Sequence, residues 1–150
     1  MRSHHLTSAP IFLTLNAQSW IPASTKIRLL EWKMRLDLVQ YIARGVPTLH
    51  PDVLHTYRAP PGDQPGDLLP RFHVIEDDGH TIKVVRALLI AQEETRRYAT
   101  RPWVRIREED WVRVHYLLLR SVEGQTMRWV RSAGFDEAWV EVPKEHVAGL

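Results

Sequence analysis

Residues 77–97 read DDGHTIKVVRALLIAQEETRR, and this stretch decides the fold more than any other. Its apolar residues recur at intervals of three and four, which predicts a helix from Gly79 to Arg97. Asp77 or Asp78 stands where a side chain can cap the first turn, and the negative charge suits the positive end of a helix. The helix is predicted to be deeply packed, because it has two adjacent apolar lines: Ile82, Val85 and Leu89, and Val84, Leu88 and Ala91.

A second helix is predicted from Ser24 to Arg44. Pro22 favours its start, and Gly45 followed by Pro47 ends it, with the glycine supplying a left-handed turn. Residues at helical spacing are expected to form its buried stripe, namely Ile27, Leu30, Met34, Leu38 and Tyr41, with Lys26, Lys33 and Asp37 mostly on the other side.

The remaining segments also read as helices and loops. A helical turn is predicted at Asp52–Tyr57, a loop rich in proline and glycine at Arg58–Asp67, and a helix at Glu108–Ser121. In that last helix Trp111, Val114, Leu118 and His115 are candidates for the inward face, and Met127–Val142 is predicted to be a helix, a turn and a short helical end. No alternation typical of β-strands and no internal repeat is present, so the predicted class is all-α, an irregular helical bundle.

Composition narrows the class of protein. With 150 residues the chain is expected to form one domain, and its formal net charge is only +2. The charges are interspersed and not clustered on one face, which argues against nucleic-acid binding. The chain has no cysteine, which excludes disulfides and thiolate metal sites, and its apolar runs are too short to span a bilayer. The sequence therefore predicts a cytoplasmic protein without a membrane anchor.

His80 and Lys83 are the most informative pair of polar residues. Residues three apart on a helix lie roughly 60° apart around the axis and about 4.5 Å along it, so the two point to one, otherwise apolar, side. Spacing alone favours a hydrogen-bonded core histidine beside a lysine that reaches solvent. In the functional alternative the neutral imidazole binds a metal. Lysine is normally protonated, so it could join only after burial and the metal removed its proton, or as a carbamate.

The other candidates are weaker. His4 and His5 are adjacent near the start of the chain, where a frayed end or a capping segment explains them equally well. Asp77 and Asp78 are better explained as capping residues than as an acid–base pair. The sequence contains no GxGxxG, GxxxxGK[ST], GxSxG or HExxH motif, so its own residues assign neither a nucleotide cofactor nor a catalytic residue.

Four segments, taken together and in order, resemble the C-terminal region of the questin-oxidase-like family. They are residues 4–12 (HHLTSAPIF), 20–33 (WIPASTKIRLLEWK), 76–88 (EDDGHTIKVVRAL) and 129–139 (WVRSAGFDEAW), and they extend over nearly the whole chain.

The resemblance implies oxygen-dependent oxidation of anthraquinone-type or related aromatic polyketides in secondary metabolism, with Baeyer–Villiger or ring-opening outcomes. NADPH is implied as an electron donor, and a non-haem iron site as the metal centre. Carried onto this chain, the implied iron ligands are His80 and Lys83 with His4 as a further ligand, and His5 is the alternative to His4. Histidine-rich iron sites with open positions are suited to activating dioxygen.

The same resemblance implies that residues 1–150 are a single helical region, the C-terminal part of a larger helical domain. We therefore expect the missing region, a partner chain or a homodimer to complete the site. The alternative is a non-catalytic helical interaction module or an inactive remnant.

Overall fold

The computed structural model describes residues 3–124 and 129–142, and the regular structure in those ranges is entirely helical. No strand occurs there, which confirms the predicted all-α class. The α-helices are α1 (Ser3–Ser8), α2 (Ile11–Ala17), α3 (Ala23–Ala43), α4 (Asp52–Thr56), α5 (Leu69–His73), α6 (His80–Arg96) and α7 (Trp111–Val122). Short 3₁₀ turns lie at Pro65–Leu68, Glu108–Asp110 and Asp136–Trp139.

The chain divides into two compact units. Met1–Leu49 and Trp129–Leu150 form unit 1, and His50–Arg128 forms unit 2. The expectation that residues 1–150 are one helical region of a larger domain is not tested by this division and stays a prediction. None of the helices among the described residues has the length and apolar character needed to cross a membrane.

Unit 2 contains most of the buried apolar side chains. They come from the 3₁₀ turn at Pro65–Leu68 and from α5, α6 and α7, which contact one another. The least exposed apolar members are Leu68, Phe72, Val85, Ala87, Trp111, Leu119 and Val122. Burial of these side chains supplies the hydrophobic stabilisation of this unit.

The predicted bounds of α6 are correct to within one residue at each end. Val84, Val85 and Leu88 are buried, as expected of a deeply packed helix, whereas Ile82 is 40% exposed. In α7 the inward line consists of Trp111, His115, Leu119 and Val122, and the predicted inward residues Val114 and Leu118 are only half-buried.

Helix α3 has the predicted length but not the predicted burial. None of its residues is buried, and four of the five residues of the expected stripe are exposed, with Ile27 68%, Met34 60% and Leu38 62% exposed, whereas Tyr41 is half-buried. The side that contacts the rest of unit 1 is the polar one. The Lys26 Nζ donates to the Asn16 carbonyl at 2.7 Å, and the Asp37 carboxylate is hydrogen-bonded to His5 of α1. The prediction of a buried stripe was therefore wrong for the described residues.

The two ends of the chain also differ from expectation. Helices α1 and α2 were not predicted, because their apolar runs are short, and the residue before α2, Pro10, makes no side-chain capping bond. In the segment predicted to begin with a helix at Met127, residues 127 and 128 lie outside the described residues. Residues 129–135 are not helical, and the short helical end is the 3₁₀ turn at Asp136–Trp139.

Two glycines bring distant segments of unit 1 together. Gly45 has a φ of +82°, the left-handed turn predicted for the end of α3, and Gly134 donates its N–H to the Arg44 carbonyl at 2.9 Å. A Cβ added to Gly45 would lie 2.7 Å from the Gly134 carbonyl carbon, and one added to Gly134 would overlap the Gly45 carbonyl. The crossing therefore requires glycine on both sides.

We predict that Gly134→Ala lowers the free energy of unfolding by at least about 2 kcal/mol, because backbone atoms cannot move aside as a flexible side chain would. Urea denaturation followed by circular dichroism measures the change. The matched control is Gly66→Ala, at an exposed glycine where an added Cβ meets nothing within 4 Å, and it should stay within about 0.5 kcal/mol of wild type. Equal losses in both variants would contradict the close crossing.

His115 is a core histidine held in its neutral form. Its ring is fully buried, and Nδ1–H donates to the Trp111 carbonyl at 2.8 Å. Its Nε2 has no hydrogen-bond partner among the described residues, so protonation would bury an unsatisfied charged donor. Burial lowers the pKa of His115 below its ordinary value, and the bond to Trp111 offsets only part of that effect.

A depressed histidine pKa gives a defined pH dependence of stability. Below about pH 6.5 the unfolded chain takes up a proton at His115 that the folded chain refuses, so stability falls as the pH drops towards the lowered pKa. We predict that His115→Leu makes the decline in urea midpoint between pH 7 and pH 5 shallower. His73→Leu, at an exposed histidine of the same unit, should keep the wild-type slope. An unchanged slope in His115→Leu would contradict a neutral His115.

Candidate functional site

The Asp77 carboxylate fixes the start of α6. One of its oxygens accepts the Gly79 N–H at 2.7 Å, and the other accepts the Thr81 N–H at 2.9 Å and the Thr81 hydroxyl at 2.6 Å. Gly79 has a φ of +84°, which turns the chain into the helix. Thr81 is fully buried, so these bonds satisfy groups that would otherwise lack water. The predicted capping role of Asp77 is confirmed.

Asp78 orients His80, the first residue of the helix. The His80 ring is buried, and its Nδ1 is hydrogen-bonded to the carboxylate of the exposed Asp78. This bond lowers the pKa of Asp78, so the carboxylate stays charged over a wider pH range. Histidines that bind metals commonly donate one ring N–H to a carboxylate in this way, which holds the ring and raises the basicity of the other nitrogen. If His80 binds a metal, it does so through Nε2.

A lysine that binds a metal after losing its proton, or as a carbamate, is expected to be buried. Lys83 is not. Its side chain is exposed, and Nζ lies near the helix start, 3.7 Å from the position that a Cβ on Gly79 would occupy. The expectation of a lysine on a buried face was wrong. The structure therefore does not provide the buried surroundings that this hypothesis assumed, and the role of Lys83 as a ligand stays a prediction.

Of the two adjacent histidines in α1, His5 is the more buried and has the better-defined hydrogen bond. His4 is exposed, whereas His5 is half-buried and its Nδ1 is hydrogen-bonded to Asp37, which also accepts from Lys33 at 2.6 Å. Burial raises the pKa of Asp37, but the bonds from Lys33 and His5 outweigh it and the net pKa is lowered. His5 thus has the same carboxylate support as His80.

The candidate ligands are divided between the two units: His4 and His5 in unit 1, His80 and Lys83 in unit 2. Across residues 3–124 and 129–142, no group of three or more His, Cys, Asp and Glu side chains is placed to hold a metal ion. The described residues therefore do not make a complete iron site by themselves, although His80 and His5 each have the carboxylate support of a ligand.

A groove in unit 2, lined by arginines and also by Glu108, Glu109 and Asp110, was not predicted as a site. It has a volume of about 1260 Å³ and runs along residues 95–113 beside α4 and the start of α7. Arg101, Arg105 and Arg107 line it and make no ion pair with a described acidic residue. The signal in the sequence was the arginine-rich run 101–107, but interspersed charge is more often a solvated surface.

Comparison with known proteins finds similarity to several proteins that are named as oxidoreductases or oxidases. The family described as Questin oxidase-like matches residues 1–88. The chain is 32% identical to "Oxidoreductase AflY" of Aspergillus parasiticus, over 93% of this chain and 34% of that protein. It is 35% identical to "Baeyer-Villiger oxidase mdpL" of Emericella nidulans, over 91% of this chain and 31% of the relative. It is 30% identical to "Questin oxidase" of Aspergillus fumigatus, over 93% and 33%.

The chain thus spans about a third of the length of these relatives. The family matches more than half of the chain and includes the DDGH segment that begins α6, so the resemblance seen in the sequence is confirmed. This chain belongs to the questin oxidase-like family.

Proposed function

We propose that this chain is one part of an oxygen-dependent oxidoreductase that acts on anthraquinone-like polycyclic aromatic polyketides, in a Baeyer–Villiger-type or ring-cleaving reaction of secondary metabolism. The observation that carries the proposal is the DDGH segment, in which Asp77 fixes the start of α6 and Asp78 orients a buried His80. The names of the relatives, a questin oxidase and Baeyer–Villiger oxidases, give the reaction class. The proposal places the protein in the cytoplasm.

The reaction requires electrons as well as dioxygen. A Baeyer–Villiger oxidation inserts one oxygen atom between a carbonyl carbon and its neighbour, and the second oxygen atom leaves as water after taking up two electrons and two protons. We propose NADPH as the donor of those electrons, and the sequence assigns no residue to binding it.

We propose that non-haem iron is the metal, with His80 contributing Nε2 as a ligand. His4 and Lys83 remain candidates from the family resemblance, and the contact with Asp37 makes His5 the stronger histidine of the α1 pair. The described residues lack a complete ligand group, and we propose that the remaining ligands come from the region that the relatives carry outside the matched third.

The test compares the chain alone with a chimera in which residues 1–150 replace the matched third of the Emericella nidulans relative. We expect near-stoichiometric iron in the chimera by elemental analysis, and incorporation of one ¹⁸O atom from ¹⁸O₂ into the substrate that the Emericella nidulans relative oxidises when NADPH is present. His80→Ala should reduce the iron content and the turnover at least about tenfold, because a missing ligand cannot be replaced by water at equal affinity. Helical content should stay close to wild type.

His73→Ala is the matched control, since His73 is an exposed histidine of the same unit, and it should keep both iron and turnover. Lys83→Met separates the second candidate: unchanged iron content would remove Lys83 from the ligand set. Iron retained at the wild-type level in His80→Ala would overturn the assignment of His80, and a chimera without iron would overturn the metal proposal.

The second candidate function is a helical interaction module without catalysis. The observation that favours it is the exposed apolar surface of α3. Metal content discriminates the two functions, because a module that only binds another protein has no reason to retain iron.

A further inference from the structure

Helix α3 carries two apolar stripes, and both are exposed. At about 100° per residue, the first stripe covers roughly a third of the circumference and the second roughly a quarter. The first contains Ile27, Leu30, Met34, Leu38 and Ile42, and the second contains Leu29, Trp32, Leu36 and Val39, with exposed fractions from 40% to 68%. A narrow strip that contains Arg28 and Arg35 separates them, and Arg35 forms an ion pair with Glu31, which lies at the edge of the first stripe.

The polar sector of the same helix is the part already used within unit 1. Lys26 contacts α2 through the Asn16 carbonyl, and Asp37 contacts α1 through His5. The three side chains of this sector, Lys26, Lys33 and Asp37, are all half-buried. The helix is thus attached to its own unit by hydrogen bonds and ion pairs, and its apolar surface faces outwards.

An apolar surface of this extent is unusual on a protein that functions alone. The helix has 21 residues and is therefore about 30 Å long, with apolar side chains along both stripes for most of that length. Soluble proteins rarely expose contiguous apolar patches larger than a few hundred Å², and larger ones mark interfaces. A helix that is apolar on two sides is typical of the interior of a larger fold.

We propose that α3 is a central helix, enclosed on both apolar stripes by helices of the region that the relatives carry outside the matched third. The relatives are about three times as long as the matched segment, so they have enough chain to cover both stripes. A second copy of this chain is a poorer occupant, because a twofold contact pairs one surface with itself and leaves the other stripe exposed. The inference rests on family membership and not on the proposed reaction.

The test compares the same substitutions in the isolated chain and in the chimera. Leu38→Lys lies on the first stripe and Trp32→Lys on the second, and both positions are more than 60% exposed in this chain. We expect each to leave the urea midpoint of the isolated chain unchanged and to lower the unfolding temperature of the chimera by several degrees, because only there would a lysine be buried. Val74→Lys, at a 78% exposed position in unit 2, is the control and should be mild in both proteins.

Hydrogen exchange gives a second readout: the amides of α3 should be more protected in the chimera than in the isolated chain. The same substitutions at the aligned residues of the full-length Emericella nidulans relative should also lower its unfolding temperature, which keeps the test valid if the chimera folds poorly. The proposal would be overturned if the substitutions changed the stability of the chimera and of the full-length relative as little as that of the isolated chain. A dimer of the isolated chain that Leu38→Lys or Trp32→Lys dissociates in sedimentation experiments would also overturn it and make a second copy the occupant.

Discussion

The carboxylate of Asp77 is the contact on which the rest of unit 2 depends. It accepts three hydrogen bonds at the start of α6 and so fixes both the left-handed turn at Gly79 and the first helical residues. Helix α6 then supplies Val84, Val85 and Leu88 to the core. The same turn places His80 beside Asp78, which orients the imidazole ring. The turn therefore serves both the stability of unit 2 and the orientation of its candidate ligand.

The arrangement of His80 with Asp78 recurs in unit 1 as His5 with Asp37. In both pairs a carboxylate holds Nδ1, and the protein thereby selects which nitrogen can serve a metal. The described residues hold no complete ligand group, so each of these histidines could bind a metal only together with ligands from elsewhere. The exposed apolar stripes of α3 are a separate observation, and they support the proposal that an additional region covers this helix.

The sequence predicted well the features that depend only on residues close together in the chain. The capping by Asp77, the bounds of α6 and the turn at Gly45 all follow from local backbone chemistry. Burial was predicted less well, because periodicity identifies an apolar face without identifying what covers it. The α3 stripe and Lys83 were both expected to be buried for that reason, and both are exposed. The support of His5 by Asp37 joins residues 32 apart in the sequence, and no local pattern could reveal it.

The most direct test of the central claim, that this chain contributes His80 to a metal site completed by the rest of the fold, is an anomalous difference map at the iron edge from crystals of the iron-loaded chimera. We expect a peak within coordination distance of the His80 Nε2, with Asp78 still bonded to Nδ1. A peak elsewhere, with His80 enclosed by apolar side chains, would contradict the claim and make the histidine a structural residue of α6.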